Sequence, residues 1–286
     1  MEMLTGWLNV PAEVEKHSSF TKLLSTPRLE EKEVLLYEAY RRALNRDPIK
    51  GPQGIGDCVS WATASFVNHL SAIEILNGEA EEFQEAATEV IYALSRVEIG
   101  GQRGSFSDGS TGIWAMKALQ TKGTLSRKYL QERIGKGDYD KNRAKQWGAS
   151  GLPDELEPDA LKHLVKTVSF VKSFEQAASA IQNGYPVVVC SDQGFSMTRD
   201  SRGFAAPRGT WYHAMLFNAV RFDRPGLCCM QSWGANVPDG PLDKGQPDNS
   251  FWVDAKVADR MLAQGDSFTG SQFDGYPAQD VISWRH

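Results

Sequence analysis

The segment CVSWATASFVNHLSAIEIL, residues 58–76, constrains the fold of this chain more than any other stretch. It contains no glycine or proline and is apolar around most of a helical circumference, which is typical of a helix buried on all sides. The glycine-rich loop GPQGIG (51–56) precedes it, and Asn77-Gly78 follows it as a stop signal. The sequence therefore predicts a helix over 58–76 that other elements surround. The 286 residues of the chain suffice for two domains, or for one domain with two lobes.

The rest of the sequence divides into a helical first part and a β-rich later part. In the first part we expect helices over 26–45, 81–97 and 111–121, a polar irregular stretch over 132–152, and a short helix after Pro158. In the later part we expect helices over 175–184 and 255–264 and strands over 168–174, 185–192, 211–222, 227–233 and 250–254. This order predicts an α+β fold with a cleft between two lobes.

Three regions follow from these elements. Residues 1–50 are expected to form an N-terminal extension with one helix, residues 51–264 the main domain, and residues 265–286 a tail. Within the main domain, a helical lobe covers about 51–165 and a β lobe about 166–264. The extension or the aromatic-rich tail is a candidate contact for protein partners in an assembly, although the tail is equally able to pack back on the lobes.

Composition and charge exclude several classes of protein. The chain has 31 Lys and Arg against 36 Asp and Glu, and it lacks the clustered cations of a nucleic-acid-binding surface. No apolar run approaches the roughly 18 residues of a membrane-spanning helix, and residues 1–20 lack the pattern of a secretory signal peptide. We therefore expect a cytoplasmic protein with no nucleic-acid or membrane partner. We expect no metal and no cofactor, because the three Asp of DGPLDKGQPDN (239–249) do not have EF-hand spacing.

The four cysteines are expected to be free thiols. Cys228 and Cys229 are adjacent, and a disulfide between neighbours is severely strained. Because side chains alternate along a strand, these two should point to opposite faces of the sheet, so that only one of them can face Cys190.

Cys58 stands where the glycine-rich loop turns into the predicted helix. The N–H groups of a helix N-terminus favour a thiolate, so we expect the pKa of this thiol to be lowered. A thiolate nucleophile needs a proton acceptor, and His213, near the start of an apolar strand, is the best placed of the five histidines. Gln231 on the next strand is able to fix the imidazole tautomer. Taken singly, the cysteine and the histidine are each better explained as buried core residues.

Four segments in order resemble the papain family of cysteine peptidases: GPQGIGDCVSWA (51–62), SDGSTGIWAMKAL (107–119), YHAM (212–215) and QSWG (231–234). The resemblance covers roughly residues 48–254. It implies the papain-like two-lobe fold and hydrolysis of a peptide or protein substrate through a thioester on Cys58. It also implies His213 as general base and acid, an oxyanion hole formed by Gln53 with the Cys58 N–H, and Gln231 in place of the orienting Asn. The resemblance further implies that Asp108, Gly109 and Trp233 belong to the substrate groove. Trp233 is also expected to shield the histidine from water.

This sequence departs from the family pattern at three points. Gln231 is one methylene longer than the family's Asn, and Gln53 lies five residues before Cys58, one fewer than the family spacing. The disulfides of the family's extracellular members are also absent. A catalytically weak or inactive papain-fold module in a larger assembly is therefore the alternative to a peptidase. Another acyl transfer on the same residues, such as transpeptidation or cleavage of cell-wall peptides, is a third hypothesis.

Overall fold

The computed structural model describes residues 4–16, 31–49, 51–79, 82–105, 107–277 and 279. Its helices are α1 (Pro11–Lys16), α2 (Leu36–Leu44), α3 (Cys58–Leu76), α4 (Thr88–Ala93) with a π-helical continuation (Leu94–Ile99), α5 (Gly112–Thr121), α6 (Arg127–Ile134), α7 (Lys141–Ser150), α8 (Glu157–Ala160), α9 (Phe174–Gln182) and α10 (Ala255–Leu262). Its strands are β1 (Val34–Leu35), β2 (Thr167–Phe170), β3 (Val187–Arg199), β4 (Ala205–Arg221), β5 (Gly226–Met230), β6 (Ser250–Asp254) and β7 (Phe268–Ser271).

The strands form one antiparallel sheet in the order β2-β7-β3-β4-β5-β6, with the short β1 added beside β4. Strands β3 and β4 are the longest, and their register shifts three times between Ser191 and Arg199. The helices from α3 to α8 precede this sheet in the chain. The predicted α+β class, with a helical lobe followed by an antiparallel β lobe, is therefore confirmed.

The predicted central helix is confirmed as α3, which begins at Cys58 and ends at Leu76. It packs against α2, α4 and α5 on the helical side and against β3 and β4 on the sheet side. Phe66 of α3 meets Phe268 of β7 edge to face, with 5.9 Å between the ring centroids. The apolar circumference of the segment is thus satisfied because both lobes cover it.

The cysteine predictions are confirmed. All four cysteines are free and buried. Cys229 packs in the large core that also contains Cys190, whereas Cys228 packs on the other face of the sheet in a small cluster around Tyr37 and Trp252.

The prediction of an irregular stretch over 132–152 is wrong, because α6 and α7 account for much of it. Both helices have side-chain N-caps: Ser126 accepts from the Tyr129 N–H, and Asp140 accepts from the N–H groups of Asn142 and Arg143. Each helix buries few apolar side chains, such as Leu130 in α6. The hydrophobic period is too weak to show in the sequence, and caps and tertiary contacts determine these helices instead.

The helix predicted over 81–97 begins later, at Thr88. Residues before it are extended, because Ala86 forms a bridge with Ser126 and the Ala87 N–H donates to the Leu125 carbonyl. Its end is also modified, since the last turn is π-helical up to Ile99.

Both terminal regions contribute to the folded core. Thr26 and Pro27, the predicted start of the first long helix, lie outside the described residues, and α2 begins at Leu36 directly after β1. Strand β7 lies beyond the predicted domain boundary at residue 264 and pairs with β2 and β3. The sheet therefore extends into the region that composition indicated as a tail.

Candidate active site

Cys58 is the first residue of α3 and is fully buried. Its sulfur lies near backbone groups of Ala214, in the β lobe, and of Gly6, near the N-terminus, which favour the thiolate. Burial raises the pKa of the Cys58 thiol to about 12, and these backbone groups oppose that rise only in part. The expectation of a lowered pKa is wrong for this closed arrangement, because loss of hydration outweighs the helix N-terminus.

His213 lies on β4, opposite Ser191 of β3. The next residue along β4 is Ala214, whose backbone lies close to the Cys58 sulfur. Its ring stacks on Trp233, with 4.3 Å between the centroids and 25° between the planes. Neither ring nitrogen has a hydrogen-bond partner among the residues that the structure describes. Burial lowers the pKa of His213 to about 3, so the imidazole is neutral.

Gln53 connects the glycine-rich loop to the β lobe. Its Nε2 donates to the carbonyl of Ile55 at 2.8 Å and to that of Leu4 at 3.2 Å. Its Oε1 accepts from Ser232 Oγ at 2.8 Å, and its backbone N–H donates to the Ser232 carbonyl at 3.0 Å. The QSWG segment therefore contacts the loop that precedes Cys58.

Gln231 does not make the contact expected of the residue that orients the histidine. Its Nε2 donates to the Asn236 carbonyl at 3.2 Å. Its Oε1 is buried without a hydrogen-bond partner in the described part of the chain, as are both ring nitrogens of His213. In this arrangement the Gln231 side chain therefore does not fix the imidazole tautomer.

Asp108 and Gly109 lie on the loop before α5. Asp108 forms an ion pair with Lys145 at 2.6 Å and accepts from the Gly56 N–H at 3.1 Å. Gly109 has a φ of +110°, and a Cβ there would lie 2.8 Å from Leu8 Cδ2. A side chain at position 109 is therefore excluded by both the backbone conformation and the N-terminal segment.

Residues 4–8 form an extended segment that runs between the two lobes and covers the site. The Leu4 carbonyl accepts from Gln53 Nε2 and, at 2.7 Å, from Trp233 Nε1. Ser110 donates its N–H to the Gly6 carbonyl and accepts from the Leu8 N–H, both at 2.8 Å. Gln53, Trp233 and the loop at Gly109 and Ser110 are thus all in contact with this segment of the same chain.

Trp7 anchors the segment. Its side chain is 3% exposed, and its Nε1 donates to Asp266 Oδ2 at 2.8 Å. Asp266 also accepts from the N–H groups of Gly112 and Ile113, at 2.7 Å each, where α5 begins. The Trp7 N–H donates to the carbonyl of Tyr212, a residue with a φ of +47° directly before His213.

Asp57 and Tyr139 support the loop between Gln53 and Cys58. The Tyr139 hydroxyl donates to Asp57 Oδ2 at 2.9 Å and accepts from the Gly54 N–H at 3.2 Å. It therefore ties the two ends of a loop that is one residue shorter than the family spacing. Burial raises the pKa of Asp57 to about 8, so this carboxyl is held in its neutral form at neutral pH.

Sequence reasoning did not identify three residues that support this site: Trp7, Tyr139 and Asp266. Their partners are distant in sequence, with 259 positions between Trp7 and Asp266. In the described ranges, no three His, Cys, Asp or Glu side chains cluster as metal ligands. No helix there is long and apolar enough to cross a membrane.

Comparisons with known proteins concern the fold. No protein-family model matches the chain, and no curated protein matches its sequence significantly. Xylellain, a cysteine protease from Xylella fastidiosa, is 15% identical, with 94% of this chain and 92% of that chain covered at a TM-score of 0.59. Procathepsin B S9 from Trypanosoma congolense is 11% identical, with 94% and 86% covered at a TM-score of 0.58. Digestive procathepsin L 3 from the larval midgut of Tenebrio molitor is 11% identical, with 88% and 74% covered at a TM-score of 0.56.

These solved structures share the overall arrangement of helices and sheet. Of the four segments that resemble the papain family, GPQGIGDCVSWA runs into α3, SDGSTGIWAMKAL runs into α5, YHAM lies on β4 and QSWG follows β5. The chain therefore has a divergent papain-like fold.

Proposed function

We propose that the protein is a papain-like cysteine peptidase whose cleft is closed by its own residues 4–8. The observation that carries this proposal is that both lobes contribute to the surroundings of one sulfur. Cys58 lies at the N-terminus of α3 in the helical lobe, and its sulfur lies near the backbone of Ala214, the residue after His213 in the β lobe. A helix N-terminus, a neighbouring imidazole and nearby amide donors are the groups that acyl transfer through a thiolate requires.

The closing segment itself supports a peptide as substrate. It lies extended in the groove and is held largely through its backbone, by the N–H and carbonyl of Ser110 and the carbonyl of Tyr212. The amide of Gln53 donates to one of its carbonyls, that of Leu4. Groups that bind one extended peptide in this way are able to bind another when the segment leaves, so peptides or proteins are the proposed substrates.

In the open enzyme, the Cys58 sulfur attacks the carbonyl carbon of the scissile peptide bond, and its proton passes to His213. The Gln53 amide and the Cys58 N–H stabilise the oxyanion that forms. His213 then protonates the leaving amine, which departs and leaves a thioester on Cys58. Water, deprotonated by His213, hydrolyses the thioester and restores the thiol. In the closed state this cannot begin, because burial keeps the thiol protonated and the imidazole neutral.

The test compares closed and opened forms of the full chain. Trp7→Ala removes the anchor, and Gly6→Val forces a side chain into the Gly56 carbonyl, which a Cβ would approach to 1.9 Å. We expect both variants to alkylate Cys58 at least about tenfold faster than wild type near pH 7, because exposure restores the thiolate. Both should also hydrolyse a quenched fluorescent peptide library. Val10→Ala is the matched control, since Val10 is already 36% exposed, and it should behave like wild type.

Two further substitutions in the Trp7→Ala background separate the effect of the catalytic groups from the effect of exposing Cys58 to solvent. Cys58→Ala should abolish hydrolysis, and His213→Ala should slow alkylation near neutral pH by removing the partner of the thiolate. Opened variants whose Cys58 is accessible but alkylates like an ordinary thiol, with no hydrolysis, would overturn the peptidase proposal.

One observation favours the second candidate, an inactive papain-fold module. Gln231 donates to Asn236 and does not bond to His213 in the closed structure. If opening lets Gln231 take up the orienting role, Gln231→Asn in the Trp7→Ala background preserves or raises hydrolysis and Gln231→Ala lowers it. If the Trp7→Ala variant does not hydrolyse peptides and the further substitution Gln231→Asn restores hydrolysis, the protein has lost catalysis through the change at position 231.

A further inference from the structure

A cavity of about 390 Å³ lies along the C-terminal half of α3, away from the cleft. Val67, Ser71 and Glu74 line one wall, at positions that share one face of the helix. Glu74 is 16 residues beyond Cys58, so it is roughly 24 Å away along the helix axis at about 1.5 Å per residue. The opposite walls come from the segments around residues 84–86, 124–126 and 162–166. The volume is in the ordinary range for a small-molecule site.

Two buried polar groups in this cavity lack partners. Glu74 is 8% exposed, and its carboxyl makes no hydrogen bond or ion pair within the described chain. Thr124 is 6% exposed, and its Oγ1 has no hydrogen-bond partner there either. A hydroxyl that is shut off from solvent without a partner, as at Thr124, is costly, and native proteins pair nearly all such groups, whereas the Glu74 oxygens keep some contact with solvent. Both groups are acceptors for a donor that enters the cavity.

The other charged groups at the cavity are mostly neutralised. Lys162 pairs with Asp159 at 2.5 Å, and Glu82 pairs with Lys128 at 2.8 Å. His163 and Lys166 lie at the exposed rim. The charge of Glu79, a residue outside the cavity lining, opposes ionisation of Glu74. The unbalanced charge inside the cavity is therefore that of Glu74.

Apolar side chains form part of the walls, beside polar ones such as Ser71, Gln84 and Ser126. Val67, Ala86, Leu125 and Val165 line the cavity and are each at most 9% exposed. Such walls suit a flexible aliphatic stem, which buries methylene groups while a charged head reaches a counter-ion.

We infer that this cavity binds a primary alkylammonium group on an aliphatic stem, the chemistry of a lysine side chain. The ammonium donates to the Glu74 carboxylate and to Thr124 Oγ1, and the stem packs on the apolar walls. The site does not involve Cys58 and is independent of the proposed peptidase activity. Its ligand is either a free alkylamine or a lysine within a peptide, and these share the same head group.

The proposal makes binding dependent on pH. Burial raises the pKa of Glu74 to about 7, so below that pH the free site is protonated. An ammonium ligand requires the ionised carboxyl, and binding therefore releases a proton at pH 6 but not at pH 8. Affinity should therefore rise between these values, with the cationic side chains of Lys162, His163 and Lys166 at the rim of the cavity as the other charged groups that face Glu74.

Isothermal titration calorimetry on the full chain tests the inference with three probes. These are Nα-acetyl-lysine methylamide, its norleucine counterpart without the ammonium, and pentylammonium. At pH 8 the lysine probe should bind at least about tenfold more tightly than the norleucine probe, since a charge-assisted hydrogen bond is gained. Binding of pentylammonium as well identifies a site open to free amines, and binding of the lysine probe alone identifies a peptide site. Both results support the proposal.

Two variants and one control assign the effect to the cavity. Glu74→Gln should weaken lysine-probe binding at least about tenfold and remove its pH dependence, and Thr124→Val should weaken it several-fold. Glu79→Gln, at the exposed neighbouring carboxyl, should bind within about twofold of wild type at pH 8. Circular dichroism checks that each variant is folded. Equal binding of the norleucine probe, unchanged binding by a folded Glu74→Gln or Thr124→Val variant, or no binding of either amine at millimolar concentration would overturn the inference.

Discussion

At the scale of single residues, burial governs the chemistry of this site. Asp57, Cys58 and His213 are all fully buried, and each is held in its neutral form, with pKa values of about 8, 12 and 3. A charged Asp57 would lie next to Cys58 in the chain and oppose the formation of a thiolate. Keeping this carboxyl neutral is therefore compatible with a nucleophile at the next position.

The raised pKa of Asp57 predicts how stability changes with pH. Between about pH 4 and pH 8 the folded state holds a proton on Asp57 that the unfolded state has released, so the free energy of unfolding falls as pH rises. Asp57→Asn removes this titration, and its free energy of unfolding should fall less steeply over the same range. Urea denaturation of both proteins at pH 5 and pH 8 measures the two slopes. Parallel slopes would show that Asp57 is ionised in the folded state.

At the scale of elements, one buried carboxylate joins three helices of the helical lobe. Glu89, in the first turn of α4, is fully buried and pairs with Arg127 of α6 at 3.2 Å and with Arg143 of α7 at 2.7 Å. It also accepts from the Asp140 N–H, where α7 begins. These bonds determine the positions of α6 and α7, which bury few apolar side chains of their own.

Glu89→Ala should therefore destabilise the protein by about 3–5 kcal/mol, because it leaves two arginines without their buried partner. Glu82→Ala is the matched control, since Glu82 pairs with Lys128 at the surface and should change stability by less than about 1 kcal/mol. Chemical denaturation followed by circular dichroism measures both. A cost for Glu89→Ala no larger than that of the control would mean that apolar contacts alone hold these helices.

The contrast between α3 and its neighbours explains what could be predicted from the sequence. α3 was predictable from Cys58 to Leu76 because its apolar face is continuous and its ends carry loop signals. α6 and α7 were not, since their stability depends on Glu89, which is distant in the chain. β7 was also missed, because Phe268 is its main apolar residue and the residues of β2 with which it pairs, such as Thr167 with Ser271, lie far away in the sequence.

The residues of the candidate site also divide into those that the sequence predicts and those that it does not. The segments containing Gln53, Cys58, His213 and Trp233 are locally distinctive, and the structure brings them into contact as a group. The contacts of Trp7 with Asp266 and of Tyr139 with Asp57 carry no local pattern, because each residue is ordinary in its own segment. The role of Gln231 could not be predicted from residue type, because the extra methylene lets its amide turn toward Asn236.

At the scale of the whole molecule, every thiol is shielded from solvent, since all four cysteines are 0% exposed. Titration of the native protein with an aromatic disulfide reagent should therefore show no rapidly reacting thiol, and titration in denaturant should show all four. In the Trp7→Ala variant one thiol should become accessible without denaturant. A rapid reaction of the native wild-type protein would indicate that the segment over Cys58 opens on its own.

The contacts of residues 4–8 have a consequence for how the cleft can be emptied. Because the segment is part of the same chain, its concentration at the cleft is a local one, on the order of millimolar for a tethered ligand, whatever the protein concentration. Dilution therefore leaves the cleft filled, and a competing peptide must exceed that local concentration or bind more tightly. A single backbone cut between residue 8 and the start of β1 at Val34 turns the segment into a separate ligand, because β1 and α2 stay packed in the core, and the occupancy of the cleft then depends on dilution.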